Sequence, residues 1–223
     1  MTVGAPPVLP LGEAAWTVVL GDAVSLELHR RVTALAERIE AARLAGVVEI
    51  VPAYAAVTVF FDPRSADANA LREALSGLAA PRPNPPASRP PAPPPSSHLV
   101  TIPVRYDGPD LAHVAGATGL SEEDVIRRHA RPEYRVYLLG FAPGFAYLGD
   151  LDPALVLPRR PTPRTRVPPG AVAIAGAQTG VYPLPTPGGW HLIGSTSVRM
   201  FDPSRDPAAL LRVGDRVRFE PVG

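Results

Sequence analysis

Hydrophobic positions in this chain follow two spacings, and the switches between them mark out its elements. From Trp16 to Gly21 the run WTVVLG is apolar and β-branched and predicts a strand. Leu28, Val32, Leu35, Ile39 and Ala42 then recur at steps of four and three, one face of a helix ending near Gly46. VVEIV and AAVTVFF return to strand character on either side of a turn at Pro52–Tyr54. Ser65 is placed to cap a second helix, in which Leu71, Leu75 and Leu78 line one face. Strand, helix, two strands and helix predict a small antiparallel sheet with helices on one side, close to a ferredoxin-like unit.

The second half reads differently. HLVTIPVRY (His98 to Tyr106) predicts a strand, and Asp110 is placed to cap a short helical turn. SEED (Ser121 to Asp124) fits a capping box that opens a helix through VIRRHA, and YRVYLL (Tyr134 to Leu139) is a further strand. Beyond it, short strands broken by Gly and Pro follow one another: AVAIA, GVYPL, HLIG, SVRMF and DRVRFE. Such a series implies a sandwich or a barrel, with VGD as a tight turn into a barrel-closing strand. Between the halves, nine of the fifteen residues from Pro81 to Pro95 are proline, which predicts a semi-rigid linker over 81–97. The expected class is therefore α+β, with a small α/β domain over 1–80 and a β domain over 98–223.

Composition narrows the chemistry. A chain of 223 residues with 46% hydrophobic content and mean hydropathy near zero has material for a real core. No run of about 18 apolar residues predicts a membrane span, and the N-terminus lacks a basic and a continuous apolar segment, so cytoplasm is expected. There is no cysteine, which excludes a thiolate nucleophile, a redox pair and a thiolate zinc site. All 22 basic residues are arginine, which excludes a Schiff-base lysine and the standard lysine-bearing phosphate loop. A formal charge of +1 without a basic block interleaved with aromatics gives no nucleic-acid signal.

Three loops hold the unusual residues. GFAPGFAYLGDL (Gly140 to Leu151) alternates glycine and proline with rings and reads as a shaped loop rather than a strand or helix. Phe141, Phe145 and Tyr147 either wall a pocket there or plug one end of a barrel core. PRRPTPRTRVPPG (Pro158 to Gly170) presents four arginines among prolines, a rigid display suited to carboxylate or phosphate. Arg164 and Arg166, two apart on an extended segment, point the same way. GAQTGVYPLPTPGGW (Gly176 to Trp190) puts Gln178 and Thr179 at a turn, with Tyr182 and Trp190 as flat walls and Gly188 and Gly189 beside the indole. A barrel corner with Trp190 in the core accounts for the same residues. His129 ends the SEEDVIRRHA helix, where the helix dipole favours the protonated ring and a partly exposed cap is the ordinary role. No histidine pair has metal-ligand spacing with a carboxylate, so no metal is expected. From residues alone, the chain offers a pocket for a small anionic or amide-bearing ligand.

In order and spacing, H…YRVYLLGFAPGFAYL, PRxxPRTRVP and AGAQTGVYP…TPGGWHLIG resemble the B subunit of the bacterial ATP-dependent 5-oxoprolinase. That family also goes by the name allophanate hydrolase subunit 1 and includes an inhibitor of a sporulation kinase. VVEIVPAYAAVTVFFDP and IPVRYDGPDLAHVA extend the resemblance over almost the whole chain outside the linker. It implies a cyclophilin-like β-barrel after the small α/β domain. It also implies partners, a homologous C-type protein and an A-type protein of the same enzyme; charge and composition already leave nucleic acid and membrane out of the expected partners. The B-type and C-type proteins together would phosphorylate the lactam oxygen of 5-oxo-L-proline, and the ring would open to L-glutamate. ATP is then the co-substrate, and with no nucleotide fingerprint in this chain it falls mainly to the partner. The resemblance gives Arg164 and Arg166 the developing phosphate. Gln178 and Thr179 take the lactam or carboxylate, while Tyr182 and Trp190 take the ring. His129 takes proton movement, and the Phe141–Phe145 loop one wall of the cleft.

Two departures from the family pattern stand out. Ser195 occupies the place of an arginine after the IG that follows PGGW, and Ala130 that of a hydroxyl residue after the histidine. The resemblance also holds two other functions: a regulator that inhibits a sensor histidine kinase, and an enzyme component that acts on a urea- or allophanate-like amide. The retained arginines, Gln178 and PGGW favour the enzyme.

Overall fold

The computed structural model describes residues 6–22, 26–80 and 98–223. The segment 81–97, expected to be a linker, lies outside the described residues. The chain divides into two compact units, residues 1–92 and 93–223.

In the first unit, β1 (Val8–Pro10), β2 (Ala15–Val19), β3 (Val47–Pro52) and β4 (Ala56–Phe61) form one antiparallel sheet in the order β1-β2-β4-β3. Helices α1 (Leu26–Ala42) and α2 (Ala68–Ala79) carry the periodic leucines. Val32, Leu35 and Ile39 of α1 and Leu71 and Leu75 of α2 pack on Val18, Val57, Val59 and Phe61 of the sheet. β2 and β3 flank β4, as in a ferredoxin-like split βαβ unit. The fourth strand is β1, an element the apolar pattern did not announce. It comes from before the split unit rather than after α2.

The cap of α2 is Asp67, not Ser65: its carboxylate accepts from the backbone N–H of Asn69 and Ala70. Ser65 is held one turn too early, its N–H and that of Ala66 both donating to the Asp62 carbonyl.

The second unit is a barrel with few helices. Its strands are β5 (Leu99–Val104), β6 (Glu133–Leu139), β7 (Ala146–Gly149), β8 (Arg164–Val167), β9 (Ala171–Ala175), β10 (Gln178–Val181), β11 (Thr186–Gly188), β12 (His191–Ser195) and β13 (Arg216–Pro221). Helices α3 (Leu111–Thr118) and α4 (Glu122–Ala130) follow β5. Seven strands run in the order β12-β9-β10-β7-β6-β13-β5. The ends meet at Arg105 and Ser195, whose backbones exchange hydrogen bonds of 2.9 and 2.7 Å. The barrel therefore closes through that bridge. β13, expected as the closing strand, lies inside the sheet, parallel to β5 and antiparallel to β6.

Three other expectations change. Ala146–Gly149 of the GFAPGFAYLGDL loop is a strand, because its glycines and prolines are concentrated before it. SVRMF is not a strand: the Thr196 N–H donates to Gly170 and its hydroxyl accepts from Val198, which turns the chain away from the sheet. Asp110 stands at the N-cap of α3 but makes no side-chain cap bond, since its carboxylate is engaged elsewhere. Ser121 does cap α4, accepting from the Asp124 N–H at 3.1 Å.

β9 has two buried faces. Val172 and Ile174 point into the barrel core, while Ala171, Ala173 and Ala175 pack outward into a second cluster with Phe145, Val167, Tyr182 and Trp190. A two-stranded ribbon, β8 with β11, contributes Val167 to that cluster.

The loop joining β5 to α3 crosses β12 at Gly108. A Cβ there would stand 2.3 Å from the Ile193 carbonyl carbon and 2.3 Å from the Leu192 oxygen. Backbone meeting backbone leaves nothing to yield. Gly108→Ala is expected to lower unfolding free energy by about 3 kcal/mol or more, read by urea titration of the full chain.

Candidate functional site

A polar string crosses the barrel interior. Thr179 on β10 donates its hydroxyl hydrogen to the Ala173 carbonyl at 3.0 Å, so its oxygen accepts from His129 Nε2 at 2.8 Å. With Nε2 carrying the proton, Nδ1 accepts from the Tyr106 hydroxyl at 2.7 Å. The Tyr134 hydroxyl donates to the His129 carbonyl at 2.8 Å, and Phe219 stacks on the imidazole with centroids 4.7 Å apart.

His129 is thus neither a partly exposed cap nor protonated. It is fully buried, and burial pushes its pKa down to about 3. The inward face of α4 outweighs the dipole at its end. Thr179 is likewise buried on a strand rather than at a turn, with both its donor and its acceptor engaged. Neither side chain is open to a substrate. Gln178, at the start of β10, is half-buried and has an interaction of its own.

The arginine ribbon divides into two kinds of residue. Arg160 Nη1 and Arg164 Nη2 both donate to one oxygen of Asp110, at 2.7 and 2.8 Å. The other oxygen accepts the Leu192 N–H at 2.7 Å. Burial alone would raise the pKa of Asp110. The bonds from Arg164 and Leu192, with the charges of both arginines, outweigh it and hold the carboxyl below its usual range. Arg164 therefore pins the ribbon to the barrel, whereas Arg166 is exposed and has no ion pair among the described residues. Of the two, only Arg164 is bound to the buried carboxylate. Pro158 and Gly189 complete the anchorage: His191 Nε2 donates to the Pro158 carbonyl at 2.9 Å, and the Arg160 N–H donates to Gly189 at 2.8 Å.

The rings predicted as pocket walls form a buried cluster. Phe145 is edge-on to Tyr182 at 5.3 Å and to Trp190 at 5.5 Å, and all three are almost inaccessible. Gly188 serves this packing, since a Cβ there would lie 2.3 Å from the Tyr182 hydroxyl. At Gly189 the nearest atom to such a Cβ is 3.7 Å away. Phe141 alone is open, 61% exposed and held at φ 72°, in T-shaped contact with Phe145 and Tyr182.

An open cleft of about 470 Å³ lies at the other end of the ribbon from Arg164. Its walls are residues 169–170, 183–185 and 196–201. This volume suits a small molecule. Gly144 presses on the last segment without lining the cleft: a Cβ there would lie 2.7 Å from that of Phe201. The Phe141–Phe145 loop therefore buttresses the cleft instead of lining it. Ser195, in the place of the family arginine, adjoins this wall and donates to Asp107 at 2.8 Å.

Sequence reading gave Asp110 only the role of a helix cap, did not single Arg160 out from its neighbouring arginines, and missed His191, Tyr106 and the cleft. Their partners lie 23 to 82 residues away in the chain, and no motif links them. Among the described residues no group of three His, Asp or Glu is placed to hold a metal, and no helix is long and apolar enough to cross a membrane.

With the geometry established, comparison places the chain among known proteins. The family model "Carboxyltransferase domain, subdomain C and D" matches residues 6–211. The 5-oxoprolinase B subunit of Escherichia coli O157:H7 is 45% identical over 95% of this chain and 94% of its own. That of Bacillus subtilis (strain 168) is 39% identical over 94% of this chain and 90% of its own. The crystal structure of TTHA0988 superposes with a TM-score of 0.80 at 46% identity over 94% of this chain. This chain spans 40% of that longer one.

The buried imidazole gives stability a pH dependence. Its folded pKa of about 3 lies below the ordinary 6.5, so the contribution is complete above pH 6.5 and is lost as pH falls toward 3. The loss attributable to this group approaches about 1.4 kcal/mol per pH unit. In urea unfolding at a series of pH values, His129→Gln is expected to be less stable at neutral pH and to show a shallower acid slope.

Proposed function

The chain belongs to the carboxyltransferase-domain subdomain C and D family, and from that premise we propose that it is the B subunit of an ATP-dependent 5-oxoprolinase. It works in a complex with a C-type homologue and an A-type protein. The observation that carries this reading is the match to the Escherichia coli B subunit, over 95% of this chain and 94% of that protein. The longer TTHA0988 chain, in which this fold is 40% of the polypeptide, supports a unit that works beside another.

In the proposed reaction the lactam oxygen of 5-oxo-L-proline attacks the γ-phosphorus of ATP and ADP leaves. Water adds to the activated carbon, and the C–N bond breaks with the amine as leaving group. A second water hydrolyses the acyl phosphate to L-glutamate and phosphate. ATP is a co-substrate held mainly by the partner. This chain supplies the open cleft of about 470 Å³, whose proline-rich walls give the lactam ring a shaped apolar surface. Arg166 lies three residues before the cleft wall at Pro169 and has no ion pair among the described residues; it neutralises charge at the transferring phosphoryl group. Arg164 and Asp110 hold the ribbon that presents it. His129 and Thr179, engaged inside the barrel, support the fold from which the cleft is built.

Reconstitution tests this. The chain is combined with its C- and A-type partners, and 5-oxoproline-dependent ATP hydrolysis and glutamate release are followed. Turnover is expected to vanish when this chain is omitted, and Arg166→Ala to lower kcat/KM by about 100-fold with the complex intact. A well-assembled complex with no turnover refutes the assignment.

A further inference from the structure

Among the residues that line the cleft, one carries a charge. It is Arg199; its neighbours in the wall are prolines, glycine, apolar side chains and the hydroxyls of Thr196 and Ser197. A cavity of this kind selects a small molecule with a compact apolar body, one negative charge and a hydrogen-bonding group.

Arg199 pairs with Asp202 at 3.2 Å, but the pair is exposed and three residues apart. Exposed pairs of this sort contribute little. Asp202 does not depend on the arginine either. Its other oxygen accepts from the Ser204 N–H at 3.0 Å and the Ser204 hydroxyl at 2.6 Å. The guanidinium can therefore turn into the cleft without leaving the aspartate unsatisfied. Ser197 is exposed, and its hydroxyl has no partner among the described residues. The loop that carries these groups is fixed at both ends, by Thr196 N–H to Gly170 at 2.8 Å and by Leu210 N–H to Met200 at 2.8 Å.

We propose that Arg199 is the specificity-determining residue of the cleft, binding the carboxylate of the substrate while the Ser197 hydroxyl meets its lactam group. This rests on the 5-oxoprolinase reading for the identity of the substrate. It adds a partner in this chain for the carboxylate of that substrate. The ring then lies against Leu184 and the flanking prolines, with its amide directed toward the open side of the cleft where a phosphoryl donor arrives.

The test is equilibrium binding of radiolabelled 5-oxo-L-proline to the assembled complex, together with steady-state kinetics. Arg199→Gln is expected to weaken binding and raise KM by about 10- to 100-fold while kcat falls much less, and Arg199→Lys to recover part of the loss. Asp202→Asn, which releases the guanidinium, is expected to bind at least as well as the parent. The carboxylate-free lactam 2-pyrrolidinone, as a competitor, is expected to be indifferent to Arg199→Gln. Arg199→Gln binding like the parent overturns the proposal, as does an equal loss for 2-pyrrolidinone, which would make Arg199 a prop for the loop. A parent complex that neither binds nor turns over 5-oxoproline removes the enzymatic reading itself, and this proposal with it. A parent that turns over while Arg199→Gln is unaffected removes the proposal alone.

Discussion

Asp110 joins three stretches of chain that are remote in sequence. Its carboxylate takes the Leu192 N–H on β12 with one oxygen and two ribbon arginines with the other, while its own backbone begins α3. A buried carboxylate without those donors would carry a desolvation penalty of several kcal/mol. The three segments are consequently interdependent: the helix, the strand and the ribbon are in register with one another or the charge is stranded. Because the ribbon is fastened at its Arg160–Arg164 end, its other end, with Arg166 and the turn at 168–170, is set down at a defined place beside the cleft. Two of the four arginines are structural so that the remainder of the loop has an address.

Much of the framework was legible because it is local. Leu35 and Ile39 announce α1 by spacing, and Ser121 announces the start of α4 by its cap on Asp124. AVAIA and HLIG need only their own composition to read as strands. What remained hidden depends on distant partners. His129 could be put at the end of a helix, but its burial follows from Thr179, fifty residues on, and from Phe219, beyond that again. SVRMF has a strand's residues and a loop's hydrogen bonds, because Thr196 pairs with Gly170 instead of a sheet neighbour. The cleft was invisible for a related reason. Its walls come from three segments rich in proline and backbone, and such walls have no residue signature.

The family resemblance and the geometry contributed different things. The motifs GFAPGF and PGGW were specific enough to identify relatives, yet their rings are chiefly buried in packing. Phe145, Tyr182 and Trp190 hold the barrel's outer cluster together, and the close glycines let those rings approach. A motif retained for packing reports the fold from which a site is made, and the site then lies where that packing leaves a gap. The substitution at Ser195 falls beside that gap, joined to Asp107 rather than to the cluster.

The position of β13 governs the order in which the barrel can be made. β13 lies between β5 and β6, both of which leave the ribosome far earlier. Until it arrives those two strands have no ladder to share: β6 is an open edge, and β5 has only the bridge from Arg105 to Ser195 beside it. The first unit has no such dependence, since all of its strands and helices are complete by Ala79. During synthesis the small sheet can therefore settle while the barrel waits as two separate edges. Contacts of long sequence separation form slowly, and unpaired edges are exposed to misassembly in the interval. In a growing chain the hazard of aggregation is thus concentrated in the second unit, up to the moment Phe219 drops in behind His129.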